Sequence, residues 1–284
     1  MKKVIFGPSG NGDAFYKLGY KSSIEAPKWL RGLGLDAYEY SFGRGFTMSV
    51  DTAKKLGEEA RKFDISISVH APFYVNLANP SEDMIDKSFG YIIKSFEYLQ
   101  LFGGEHVVVH IGSTGKLDRG YAISLIEKNL IDCVNLLQQK GYRGKLCIET
   151  MGKTAQIGTY KEVVDLCSLH DMLIPCFDFG HINCLMQGML KTKQDYLDIF
   201  GYAIDKLGFD KVDSCHIHFS KIEYGGKGEI RHLDFDDEIF GPNFEPLAEA
   251  IKELNIHPHI ICESSTKMSE DALKMQEIYN AISI

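Results

Sequence analysis

The stretch Asp64-Ile-Ser-Ile-Ser-Val-His70 alternates strictly, with Ile65, Ile67 and Val69 on one side of an extended chain and Ser66, Ser68 and His70 on the other. An apolar side that meets helices, opposite a small polar side that ends in an ionisable residue, suits the wall of a barrel whose interior is filled by side chains. Just upstream, Thr52–Phe63 puts apolar residues on one stripe and charges on the other, as an amphipathic helix does. The same unit recurs in both directions along the chain. Strands are expected at Val4–Phe6, Ala37–Tyr40, Ile65–His70, His106–His110, Leu146–Glu149, Ile174–Asp178, Ser214–His218 and Ile260–Glu263. Helices are expected at Ile24–Gly32, Thr52–Phe63, Ser81–Phe102, Tyr121–Lys140, Lys161–His170, Gln194–Leu207, Phe244–Glu253 and Ser269–Ala281, with Ser81 as an N-cap ahead of Glu82 and Asp83. This alternation, with no second composition regime, predicts an α/β closed (β/α)8 barrel and a single domain over residues 1–284. A doubly wound open sheet is the structural alternative, but its dinucleotide fingerprint is missing.

Composition narrows the class. The 44% hydrophobic and 25% charged fractions are those of a globular chain and exclude disordered and collagen-like classes. Lys+Arg 31 against Asp+Glu 39 leaves a formal charge of −8, so no basic stripe recruits nucleic acid by charge alone. Carboxylates that ligate metal ions enter that sum without their ions, however, and such a site is locally positive when loaded. Seven cysteines without a C-x-x-C pair argue against a disulfide framework or a cysteine zinc module and are expected as buried, reduced thiols. The opening MKKVIFG carries no signal peptide or membrane span, so a cytoplasmic monomer with no membrane partner is expected.

The strand ends carry the chemistry. His70, His110, Glu149, Asp178, His216 and Glu263 stand at the ends of six successive strands, and in a barrel those ends ring one mouth. Carboxylates so crowded would repel unless divalent cations lay between them. Nitrogen and oxygen donors without thiolate suit Zn2+, with Mn2+ or Fe2+ as further options. His181, three residues after Asp178, and His232, in the loop after strand seven, are within reach of the same mouth. A lone His or Glu at a strand end is ordinarily just a hydrogen-bonded polar residue, but six in succession are not explained that way. His106 and His218 face inward at a deeper level, where they could orient ligands; His170, His257 and His259 read as structural or surface residues. Gly7–Gly12 lacks the ending of a phosphate loop and reads as a substrate-facing loop. Arg44, between aromatics, and Phe73 and Tyr74, after His70, are candidate substrate-binding residues, with a solvated loop and a barrel cap as their ordinary readings.

Over nearly the whole chain this pattern resembles the endonuclease IV family of zinc-dependent apurinic/apyrimidinic endonucleases, within the xylose isomerase-like TIM barrel superfamily. The resemblance rests on Val69-His-Ala-Pro-Phe-Tyr-Val-Asn-Leu-Ala-Asn-Pro80, Val109-His-Ile-Gly-Ser113, Ile148-Glu-Thr150, Asp178-x-x-His181, His216 through Ser220-Lys221, and Glu263. It implies a first zinc on His70, His110 and Glu149, a second on Glu149, Asp178, His216 and Glu263, and a third with His181 and His232. The chain departs from the family at the third site, where Ile230-Arg231-His232 replaces Asp-Arg-His. Either that ligand is lost or Glu229 substitutes for it.

Two functions follow. The resemblance implies a phosphodiesterase that cuts DNA 5′ to an abasic site in base excision repair, with Glu149 and Glu263 as catalytic carboxylates and two or three ions as cofactors. The alternative is a divalent-metal-dependent sugar or sugar-phosphate isomerase or epimerase, in which Glu149 and Glu263 move a proton; the negative charge and the altered third site favour it. A relative that only binds metal and ligand is a third possibility, because the barrel alone does not choose among activities.

Overall fold

The computed structural model describes residues 2–283. Its strands are β1 (Ile5–Pro8), β2 (Ala37–Ser41), β3 (Ser66–His70), β4 (His106–Val109), β5 (Lys145–Glu149), β6 (Leu173–Asp178), β7 (His216–Phe219), β8 (Lys221–Gly225), β9 (Gly228–Leu233) and β10 (His259–Cys262). Eight form one sheet in the order β1-β10-β7-β6-β5-β4-β3-β2, with every ladder parallel. The sheet curls until its ends meet: the Asp36 N–H donates to the Phe6 carbonyl at 3.0 Å, and Ser9 and Glu39 form a parallel bridge. Gly7 permits this seam, because a Cβ there would lie 1.8 Å from the Ala37 carbonyl oxygen. The architecture is the expected (β/α)8 barrel.

The alternation in β3 does what its pattern requires. Ile65, Ile67 and Val69 join the core between strands and helices, while Ser68 is fully buried inside the barrel. On neighbouring strands Val108, Cys147, Ile174 and Cys176 form a separate interior cluster. Each aliphatic side chain so buried contributes about 1.5–3 kcal/mol. Helix Val50–Lys62 buries the stripe Ala53, Leu56, Gly57 and Ala60 and is capped by Ser49, whose Oγ accepts from the Thr52 N–H at 3.1 Å. Ser81 occupies the N-cap position of helix Glu82–Phe102, but its side chain makes no capping bond. Its N–H instead donates to Asn79 Oδ1 at 2.9 Å, so the chain enters the helix through an Asx turn. All seven cysteines are free and buried.

Besides the short helix Asp13–Lys17 and the turn Ser23–Glu25 in the first crossover, three features lie outside the regular alternation. A short helix, Phe179–Leu185, follows β6 without a break. The antiparallel pair β8 and β9 replaces the expected loop after β7. Helix Phe209–Asp213 occupies the run-up to β7, so that strand begins at His216 and excludes Ser214. Among the described residues no helix is long and apolar enough to cross a membrane.

Candidate metal centre

Glu149, the last residue of β5, sits at the middle of the barrel mouth and is 1% exposed. Its Oε2 lies 3.1 Å from His70 Nε2 and 2.9 Å from His110 Nε2, and its Oε1 lies 3.4 Å from both His181 Nδ1 and His218 Nδ1. Glu263, one residue beyond β10, brings Oε2 to 3.4 Å from His218 Nδ1. Asp178 ends β6 and caps the short helix after it: Oδ1 accepts from the His181 N–H at 2.7 Å. This cap explains the Asp-x-x-His spacing, since a residue three positions into a helix returns to the face of its N-cap. It also leaves Asp178 Oδ2 fully buried without an aligned hydrogen-bond partner.

The hairpin completes the group. Its register pairs Glu223 with Arg231 and Tyr224 with Glu229, which leaves Ile230 as a bulge residue, 58% exposed. One extra residue reverses the alternation, so Glu229 falls on the same side as His232. The hairpin comes close because Gly152 and Gly228 have no side chains. The Glu229 N–H donates to the Gly152 carbonyl at 2.8 Å, and a Cβ on Gly228, at φ +98°, would lie 2.0 Å from that oxygen. Glu229 thereby places Oε2 3.6 Å from His181 Nε2 and Oε1 4.0 Å from His232 Nε2, while Ser220 Oγ holds His232 Nδ1 at 2.8 Å.

His218, not His216, is the β7 imidazole that faces Glu149 and Glu263. The two residues share a face because they are two apart in a strand, and the alternation of the sequence does not say which stands at the mouth. His216 lies one step below, fully buried, with Nε2 3.1 Å from Glu39 Oε2. Sequence reasoning passed over Glu39, which also lies 3.0 Å from His218 Nε2 and accepts from Ser68 Oγ at 2.8 Å. Its signal was available: a lone carboxylate between Tyr38 and Tyr40, on the inward side of β2.

Burial opposes ionisation of Glu149, but His110, His181 and His218 together hold its carboxyl well below the usual range. Burial pushes Asp178 up, and His181 offsets only part of that. Burial also disfavours the charged imidazoles, yet Glu149 raises His70 to about 9, and Asp178 with Glu149 raises His181 to about 10.

The donor set fits divalent cations. Ligating atoms of Glu149, Asp178, His218 and Glu263 lie within 4.8 Å of one another, as do those of His70, Glu149 and His218, and those of His181, Glu229 and His232. Asp178 Oδ2 and His218 Nδ1 are buried without aligned partners, and nitrogen and oxygen donors alone suit zinc, manganese or iron. Above them opens a cavity of about 450 Å3, walled also by Phe73, Met151, Lys153 and Gln156. Phe73 stands at its rim, half exposed, with Tyr74 packed 4.5 Å behind it. Arg44 is exposed on the neighbouring loop and does not line the cavity. Lys153, whose Nζ lies 3.5 Å from Glu229 Oε2, was not singled out from sequence.

A family model described as xylose isomerase-like TIM barrel matches residues 27–279. An uncharacterized protein of Methanocaldococcus jannaschii is 32% identical over 279 residues, covering 98% of both chains. A probable endonuclease 4 of Acholeplasma laidlawii is 27% identical over 192 residues, 66% of this chain and 63% of that one. Among solved structures, endonuclease IV from Thermus thermophilus superposes with a TM-score of 0.66 at 18% identity, covering 99% of this chain and all of the other. A D-tagatose 3-epimerase-like protein superposes with a TM-score of 0.67 at 22% identity, covering 87% of each. At these identities both structural likenesses speak to the fold alone.

Proposed function

The chain belongs to the xylose isomerase-like TIM barrel family, and from that premise we propose that it is a zinc-dependent phosphodiesterase that cuts DNA 5′ to abasic sites. The observation that carries this reading is the extent of the donor set: two groups that share Glu149 and His218, and a third, with Glu229 and His232, that adjoins them where His181 Nδ1 lies 3.4 Å from Glu149 Oε1, room for more ions than proton transfer on a sugar needs. His70, His110 and Glu149 would hold one ion, Glu149, Asp178, His218 and Glu263 a second, and His181, Glu229 and His232 a third. Bound zinc supplies Lewis acidity at phosphoryl oxygens and brings the pKa of water toward neutrality. Glu149 orients the attacking water, and Glu263, partly open to the cavity, receives its proton. Lys153 offers a cation to the phosphate, and Phe73 with Tyr74 offers an aromatic edge to a base beside the lesion. An abasic nucleotide stacks poorly, so its entry into the cavity costs little.

The epimerase reading has one observation in its favour. Glu149 and Glu263 both approach His218 and line a single cavity, so two carboxylates are at hand to take a proton from a sugar carbon and return one to it. Incision of a duplex with one abasic site decides between them. Zinc-loaded protein is expected to cut 5′ to the lesion, and chelated protein and Glu263→Gln to lose the activity. No incision by protein with zinc fully bound refutes the nuclease and leaves sugar epimerisation as the reaction to assay.

A further inference from the structure

Beneath Glu39 lies a second group of imidazoles that the reaction above does not use. His106, His216 and His259 are the first residues of β4, β7 and β10, and the parallel register sets His259 directly beside His216. Their ligating nitrogens lie within 4.8 Å of one another. His106 Nδ1 stands 3.1 Å from His216 Nδ1, and the His259 ring lies 5.0 Å from that of His216 and 5.5 Å from that of His106. His259 Nε2 is fully enclosed with no hydrogen-bond partner, a costly state for a ring nitrogen unless something else occupies its lone pair or proton.

The orientation of His216 is informative. Its Nε2 faces the Glu39 carboxylate at 3.1 Å, which turns Nδ1 onto the cluster. A carboxylate behind an imidazole orients the ring of a metal-ligating histidine, and here it does so as a close charge contact, since His216 Nε2 has no aligned hydrogen-bond partner. Two imidazoles on one tetrahedral zinc, each at about 2.0–2.1 Å, place their nitrogens about 3.3 Å apart, close to the separation of His106 and His216. A single N–H···N bond between those two rings accounts for their spacing but leaves His259 unexplained.

We propose that His106, His216 and His259 form a separate metal site at the foot of the barrel, which takes a first-row divalent cation such as zinc through three imidazole nitrogens and leaves a fourth position open. His106 and His259 are 9% and 7% exposed, so the ion enters from the end of the barrel opposite the cavity. The site ties together the starts of three strands, and in this fold that end serves stability rather than chemistry. Glu39 stands between the two metal regions, with one oxygen toward His216 and the other toward His218.

The test counts zinc in the full chain after extensive desalting. In a Glu149→Gln/Asp178→Asn/Glu229→Gln variant, which cripples the mouth, one zinc ion per chain is expected to remain. Adding His259→Gln is expected to remove it, together with the fall in melting temperature that a chelator causes in the parent variant. A mouth-crippled variant that folds but keeps no zinc, or one that keeps it after His259→Gln, overturns the site. If these variants do not fold, anomalous scattering at the zinc edge from wild-type crystals grown with zinc decides: a peak among the three rings supports the site, and peaks at the mouth only refute it.

Discussion

Glu229 illustrates how one residue recovers a ligand position that is missing from its expected place in the sequence. Ile230 stands where the resemblance sets an aspartate, and its side chain is exposed because it is the bulge residue of β9. The bulge and the longer glutamate side chain act together to bring a carboxylate to His181 and His232. Glu229→Gln is therefore expected to lower the zinc content by about one ion per chain with an unchanged circular dichroism spectrum. Adding Ile230→Asp should not restore it; elemental analysis of both variants is the check, and an unchanged zinc count in Glu229→Gln would contradict the assignment. At this scale the sequence was legible in residue type more than in height. The inward histidines of β7 were evident, but His216 and His218 are equivalent under a period of two, and only the ladder with β6 and β10 sets their levels. Glu39 escaped because it lies inside the expected strand Ala37–Tyr40 and not at its end, where the other carboxylates of the site stand.

Elements with a clear period were legible, and those without one were not. The eight barrel strands and the helices between them follow the pattern of apolar residues, with shifts of one to three residues at their ends, the largest where the helix expected to reach His170 stops at Cys167. The β8–β9 hairpin is the weaker case: Lys221-Ile-Glu-Tyr224 alternates over only four residues, Gly228–Leu233 loses its alternation at the bulge, and both strands are mostly half exposed. What fixes the hairpin is a backbone contact, Gly228 against the carbonyl of Gly152, which side-chain patterns do not report. Gly228→Ala is expected to destabilise the protein by about 2 kcal/mol, from the left-handed backbone and the overlap with Gly152, and to weaken zinc binding at His181 and His232. Gly226, at the tip of the same hairpin, has open space around it and is the control: Gly226→Ala should be near neutral. Denaturant titration with zinc analysis of the two variants tests this, and equal losses would remove the role given to the Gly152 contact.

Across the whole molecule, folding brings carboxylates and imidazoles together and so couples stability to protons. Against burial, Glu149 raises His70 to about 9, and Asp178 with Glu149 raises His181 to about 10, above the ordinary 6.5. Groups raised in this way contribute stability that is complete below their unfolded pKa and is lost as pH climbs through the folded values. Chelated protein is thus expected to melt at a lower temperature at pH 10 than at pH 7. Zinc-loaded protein, whose ligating imidazoles carry no such proton, should lack that loss. Loading at pH 7 should correspondingly release protons, which calorimetry in buffers of different ionisation enthalpy measures. A chelated protein equally stable at both pH values would show that these imidazoles are not protonated in the fold.

The ladder between β1 and β10 has a consequence for how the chain is made. β1 finds its ladder partner in β10, the last strand in the chain, with Ile5 beside His259. A ribosome adding roughly 5–20 residues per second therefore leaves β1 without that partner for roughly 10–50 s. Until then the nascent chain is an open sheet with an uncovered edge, and Glu263, also late in the chain, has not emerged. The centre at the mouth is completed only after β10 and Glu263 have followed the other site residues, so its full complement of ions is acquired by a chain that is already closing.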